Sequence, residues 1–204
     1  MTRIILIRHG ETLWDIEKRT IGHLDVPLSE LGKKQSIAIA ERLKNIPFTH
    51  LYSSDLGRAI ETAEYIAKIC NVDIKIDVDL REININKVDA CVQFNPIRNA
   101  STTTYQNKIK QPLDCITPNS ETHRQRQDRI INVMNSLAHI HANETIVIIS
   151  HSSVLKGFLE FVIGIKSNCE NQFSNKNTAY NSFIKETGTW SLETWGELDH
   201  LQYL

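Results

Sequence analysis

The sequence has no long apolar run, no excess of either charge and no closely paired cysteines. Each absence removes a class of protein. The first apolar stretch, Ile4 to Ile7, is cut off by Arg8 and His9, far short of the roughly 20 residues of a membrane span or the roughly 7–15 of a signal-peptide core. No later stretch is long enough either, so no membrane association and a cytoplasmic location are expected. Lys and Arg total 23 against 24 Asp and Glu, a formal charge of -1. Such a balance offers no bulk basicity for nucleic acid, and any affinity for anions must come from a few well-placed cations. Cys70, Cys91, Cys115 and Cys169 form no CxxC pair, which argues against a zinc knuckle and against a disulfide framework, leaving reduced thiols as the expectation. What remains is a chain of 204 residues, 41% hydrophobic, able to bury a sizeable core, and its length favours one domain over residues 1–204.

Two apolar runs, Ile4 to Ile7 and Ile146 to Ile149, read as strands buried on both faces, and each ends near a histidine. Ser29 is placed to cap a helix carrying Ile39, Leu43 and Ile46 on one face. A short strand at His50 to Tyr52 leads to a helix from about Asp55 to Cys70. There Leu56, Ala59, Ile60, Ala63, Ile66 and Ala67 follow helical spacing, with Arg58 off the stripe in the first turn. Ile74, Ile76, Val78 and Leu80 alternate with polar residues and predict a strand that releases Arg81 and Glu82. Helices are expected over Thr122 to His139 and Ser153 to Ile163, and further strands in the tail around a Thr187-Gly188 turn. Alternation of this kind predicts an α/β fold with a mainly parallel central sheet and helices on both faces. Residues 84–120, rich in Asn, Thr, Gln and Pro, are too long for an ordinary connection and read as an irregular insertion bordering the site.

Ligands of open α/β sheets bind outside the carboxyl ends of the strands. The assignment above brings Arg8, His9, Ser53, Arg58, Arg81, Glu82 and His151 to that edge from four separate segments. A phosphomonoester suits such a set. It carries about two negative charges at neutral pH and spreads charge over three equatorial oxygens during transfer. Arginine forks fit those oxygens. A histidine of ordinary pKa about 6.5 is largely neutral near pH 7 and offers a free ring nitrogen as nucleophile. The leaving alkoxide needs a proton, and Glu82 is the candidate donor. This chemistry needs neither a metal nor another cofactor.

The segment LIRHGET resembles the RHG signature of the histidine phosphatase superfamily, which includes cofactor-dependent phosphoglycerate mutases and many small phosphatases. GHLDVPLSELGKKQ, LYSSDLGRAIETAE, LRE and VIISHSSVLK resemble, in order, the later segments of the same family. The resemblance implies a phosphoglycerate mutase-like fold, with His9 becoming a phosphohistidine and Glu82 acting as acid and then base. It also implies that Arg8, Arg58 and His151 grip the phosphoryl group, with the Ser152 backbone N–H beside them. Thr12 and Gly22 match pocket-lining positions, Gly22 through close approach of its backbone, and Asp15 and His23 are further pocket candidates. Asn177 is similar to an asparagine that precedes a late strand.

Three departures stand out. Asp15 occupies a position where the family pattern has Asn, and an ionised Asp cannot donate to phosphate, so it either points away or weakens binding. Ser152 replaces a common Gly. The segment after Glu82 lacks the family's aromatic-Gly-x-Trp-Glu-Gly sequence. His139 and His141, at a helix end, read as solvated surface, and Arg81 as solvated or as an ion-pair partner orienting Glu82. The favoured function is a metal-independent phosphatase for a small phosphorylated metabolite. Mutase-type phosphoryl transfer and a phosphate-binding pseudoenzyme remain as alternatives. A homodimer through a sheet edge is compatible with the sequence, but no residue marks it.

Overall fold

Ile4, Ile5, Leu6 and Ile7 are all fully buried, because β1 (Thr2–Arg8) lies inside the sheet with helices on both sides. The computed structural model describes residues 1–19, 21–83, 121–165, 173 and 175–204, and the insertion expected at 84–120 lies outside them. Ile4 and Leu6 join one apolar cluster, with Ile130, Met134, Leu155 and Phe158. Ile5 and Ile7 join another, with Ile39, Leu43, Ala59 and Ile66. Each such side chain is worth roughly 1.5–3 kcal/mol relative to exposure, so the strand that delivers Arg8 and His9 is pinned from both faces.

The elements run β1, α1 (Leu13–Ile16), α2 (Glu30–Leu43), β2 (His50–Ser53), α3 (Gly57–Cys70) and β3 (Ile74–Ile76), then α4 (His123–Ile140), β4 (Thr145–Ser150), α5 (Ser152–Ile163), β5 (Tyr180–Glu186) and β6 (Thr189–Glu197). The sheet order is β3-β2-β4-β1-β5-β6. The first four of these strands are mutually parallel, and β5 runs antiparallel to both β1 and β6. Helices α2 and α3 cover one face and α4 and α5 the other, which is the expected three-layer α/β architecture. Ser29 caps α2 by accepting from Gly32 N at 2.9 Å. Thr187 and Gly188, at φ of 48° and 86°, make the tight β5–β6 turn. No helix of the described residues is long and apolar enough to cross a membrane.

Three local expectations change. The strand expected to reach Leu80 ends at Ile76, because Asp77 Oδ1 accepts from Asp79 N at 2.9 Å and starts a 3-10 turn over Val78–Leu80. Leu80 is buried there while Val78 is exposed. Helix α5 begins at Ser152, one residue earlier than expected, with His151 as its N-cap. His141 is not solvated surface: α4 stops at Ile140 and His141 turns inward as its C-cap.

Candidate active site

The sheet's hydrogen-bond ladder continues one residue beyond each strand end at the site. His9 N donates to Ser150 O at 3.0 Å, and Ser54 N to Ile149 O at 3.1 Å. The backbone is therefore fixed where the side chains leave the sheet. Thr178 N donates to Arg8 O at 3.0 Å, and Asn177 Nδ2 to His9 O at 3.1 Å, so the start of β1's exit is held from the β5 side as well. Gly10 has a packing reason rather than a turn reason. A Cβ there would lie 2.5 Å from Gly32 O and 2.8 Å from Ser36 Oγ, so glycine lets the segment after His9 press against α2.

His9 is 2% exposed. Its Nδ1 donates to Gly10 O at 2.8 Å, and its Nε2 accepts from Arg58 Nε at 3.2 Å. One nitrogen thus carries the hydrogen, and the other presents its lone pair to the site. Burial, with the Arg58 and Arg8 charges beside it, pushes the imidazole well below its ordinary pKa. At neutral pH it is an uncharged base.

Arg58 is 1% exposed. Its Nη2 and Nη1 donate to Gly22 O at 2.8 Å and Leu24 O at 3.1 Å. Gly22 has φ of 54°, a left-handed backbone that glycine adopts without strain and that aims its carbonyl at Arg58. Burial lowers the Arg58 pKa, but a guanidinium starting so high stays charged.

His151 is fully buried, its ring 5.2 Å from that of His9 between centroids. Burial first, then the neighbouring Arg58 and His9, push it too well below its ordinary pKa. Its Nε2 lies 2.9 Å from Ser54 Oγ, which accepts in turn from Leu56 N at 3.3 Å. The Ser54 proton is thereby directed to Nε2, leaving the hydrogen on Nδ1, which has no partner among the described residues. Ser152 heads α5, where amide groups of the first turn are free of helical partners.

Asp15 does not point away. Its Oδ1 takes Arg8 Nη2 at 2.5 Å, while Oδ2 takes Thr12 N at 2.8 Å and Thr12 Oγ1 at 2.7 Å. Thr12 is therefore the N-cap of α1 in a reciprocal capping box. Burial works to raise the Asp15 carboxyl, but Arg8, His9 and the Thr12 bonds together hold it below the usual carboxylate range. Arg8 Nη1 donates to Asn175 O at 3.0 Å, and Arg8 Nε is buried with no partner among the described residues.

Glu82 follows the 3-10 turn. Its Oε1 accepts from Ile83 N at 2.8 Å, and His23 Nε2 donates to its backbone carbonyl at 2.7 Å. His23 thus holds the acid segment. Arg81 pairs through two nitrogens with Asp55, not with Glu82. The segment is clamped further by Arg129, whose Nη1 donates to Asp79 O at 2.6 Å and Arg81 O at 3.0 Å, while Glu121 takes its Nε and Nη2, each at 2.7 Å.

A profile of the histidine phosphatase superfamily (branch 1) matches residues 4–198. The chain belongs to that superfamily. The chain is 29% identical to a probable phosphoglycerate mutase, GpmB, of Escherichia coli, over 98% of this chain and 95% of that protein. Among solved structures, YhfR of Bacillus stearothermophilus superposes with a TM-score of 0.89 at 26% identity, covering 99% of this chain and 100% of that one. A phosphoserine phosphatase mutant of Entamoeba histolytica, solved with phosphoserine, superposes at 0.86 and 25% identity, covering 98% of this chain and 100% of that one. Superfamily membership is shared by phosphatases and phosphoglycerate mutase-like proteins alike.

The structure gathers Arg8, His9, Arg58, Glu82, His151 and Ser152 at one rim of the sheet, and places Thr12, Asp15, Gly22 and His23 as their supports. Ser54, Arg129 and Asn175 were not singled out from sequence. Ser54 stands in the LYSSDLGR segment, but Arg129 and Asn175 carry no local signature.

Proposed function

We propose that the protein is a metal-independent phosphatase that hydrolyses a small phosphomonoester through a phosphohistidine on His9. The observation that carries this reading is the fixed tautomer of His9: Nδ1–H held on Gly10 O, and Nε2 unprotonated beside Arg58. A neutral, oriented imidazole with a guanidinium at its nucleophilic atom is what attack on a phosphoryl group requires.

In this reading the substrate's phosphoryl oxygens take over the Arg58 Nε donor and engage Arg8 Nε and His151 Nδ1, both without partners among the described residues. His9 Nε2 attacks phosphorus, and the P–O bond to the leaving alkoxide breaks. Glu82, in its acid form, protonates that alkoxide. The resulting carboxylate then takes a proton from water, whose oxygen attacks the phosphohistidine and releases inorganic phosphate and free His9. The Ser152 amide and the α5 N-terminus favour the negative charge throughout.

The test is phosphate release from an aryl phosphate with EDTA present, in the wild type and His9→Ala, alongside trapping of acid-labile, alkali-stable phosphoprotein. Turnover and trapped phosphate that both vanish in His9→Ala are expected. A folded wild type that neither turns over nor traps phosphate across a panel of monoesters would overturn the reading in favour of a phosphate-binding pseudoenzyme. The full-length likeness to a probable phosphoglycerate mutase favours mutase-type transfer as the second reading. Isomerisation of a phosphorylated sugar acid after seeding with its bisphosphorylated form separates the two.

A further inference from the structure

A second group of ligating side chains lies at the opposite end of the sheet. His50 opens β2, His141 caps α4 and Glu144 immediately precedes β4. All three sit where the parallel strands begin, whereas His9 and His151 sit where β1 and β4 end. The seven residues of β1 put about 20 Å between the two edges.

His50 Nε2 lies 3.3 Å and His141 Nδ1 3.5 Å from the same oxygen, Glu144 Oε2. Their rings tilt against each other at 4.1 Å between centroids. One ligand atom from each residue lies within 4.8 Å of the other two. These separations are long for hydrogen bonds. They match the edge of a coordination tetrahedron, since bonds of about 2.0–2.1 Å place neighbouring ligand atoms about 3.3–3.4 Å apart. The outer partners are in place as well. His141 Nε2 is 2.8 Å from the Tyr52 hydroxyl, and Glu144 Oε2 accepts from Thr49 Oγ1 at 2.6 Å. Second contacts of this kind fix the tautomer and aim of metal-binding side chains. His141 is 4% exposed, while His50 and Glu144 are half-buried, so the trio has a rigid floor and an open side for a water ligand.

We propose that His50, His141 and Glu144 form a binding site for a divalent transition cation, zinc above all, held by two imidazoles and one carboxylate. Nitrogen-rich donor sets of this sort suit zinc rather than magnesium or calcium. The ion joins the start of β2, the end of α4 and the approach to β4, so its effect is on stability and not on phosphoryl transfer. One feature opposes it: Lys75 Nζ lies 3.3 Å from His50 Nδ1. Lys75 is exposed, so its side chain can swing clear, but its charge weakens the site.

The experiment is titration of chelator-treated, full-length protein with Zn²⁺, followed by calorimetry and by melting temperature, and with Co²⁺, followed by its visible spectrum. One ion per chain, a melting temperature that rises with Zn²⁺ and intense tetrahedral Co²⁺ bands are expected. His50→Gln and Glu144→Gln each weaken binding by roughly tenfold or more. Both residues are half-exposed, and their melting temperatures without metal check that they fold. Lys75→Gln strengthens binding, and His9→Ala leaves it unchanged. Absence of saturable binding, binding that survives both Gln substitutions, or binding lost in His9→Ala would each overturn the proposal. No readout involves turnover, so the result stands apart from the phosphatase reading.

Discussion

Asp15→Asn isolates the most unusual feature of the site. Asp15 holds one Arg8 nitrogen and sets a negative charge beside the groups that would grip phosphate. A phosphoryl group on the remaining Arg8 donors would lie about 6 Å from that carboxylate, where two unit charges repel by about 2.8 kcal/mol at an effective dielectric of 20. Counter-charge from Arg58 and partial exposure to solvent reduce the net figure to about 1–2 kcal/mol, a gain of roughly 5–30-fold in phosphate affinity. The same change loses a partly buried ion pair whose partners are 18% and 17% exposed, at a cost of about 1–3 kcal/mol in stability. Asparagine retains an acceptor for Thr12, so the α1 cap survives. The assay is competitive inhibition of aryl-phosphate turnover by inorganic phosphate, cross-checked by calorimetry, with urea unfolding of the same samples. Tighter phosphate binding in a less stable protein is expected. Weaker binding would refute the electrostatic argument and show that Asp15 serves by aiming Arg8, not by competing for it.

Gly10→Ala forces a methyl to 2.5 Å from a backbone oxygen, so unfolding experiments should show a loss of about 1–3 kcal/mol and assays a loss of turnover beyond what the stability change explains. Arg129→Met removes the clamp on Asp79 and Arg81, and steady-state kinetics should show kcat falling roughly tenfold with KM little changed, because the acid segment is displaced while the phosphate grips remain. His9 and His151 are held well below their ordinary values, and burial takes His200 down to about 4. Below about pH 6.5 the unfolded chain therefore binds protons that the native protein does not, and urea midpoints should fall as pH drops from about 6.5 toward 4, a slope that His200→Asn makes shallower.

How much of this was legible in the sequence depends on whether a residue's role is local. Ile4 to Ile7 is apolar at every position, which only a strand buried on both faces explains, so the place of Arg8 and His9 follows from the run before them. Arg58 could be set in the first turn of its helix because the apolar stripe beside it is so regular. The Ile74-to-Leu80 alternation failed at Asp77, whose carboxylate caps a 3-10 turn that a period-two pattern does not register. The roles of Gly22 and Arg81 were illegible for another reason: each is defined by a partner on another segment, and a hydrogen bond between Arg58 and Gly22 O or between Arg81 and Asp55 leaves no periodic trace. The Thr12–Asp15 capping box is local, a pattern that reading both residues as pocket lining passed over. His141 is the sharpest case: its spacing from His139 suggested surface, and only packing against Tyr52 and His50 turns it inward.

The site's electrostatics rest on a division between permanent and conditional charge. Burial, with the neighbouring Arg8 and Arg58 guanidinium groups, is what keeps His9 and His151 neutral. A site that charged its histidines would gain anion affinity but lose the lone pair on His9 Nε2. In the proposed reaction, using arginine for attraction and histidine for chemistry would avoid that conflict, and the Arg58 bond to Nε2 would join the two functions in one contact. In the proposed reaction a bound phosphoryl dianion would offset the Arg58 and Arg8 charges that, after burial, hold His151 neutral. Its Nδ1–H, without a partner among the described residues, would then meet negative charge and favour the cationic histidine, while His9, bonded to phosphorus through Nε2 in the proposed intermediate, could not be reprotonated there until the phosphoryl group leaves.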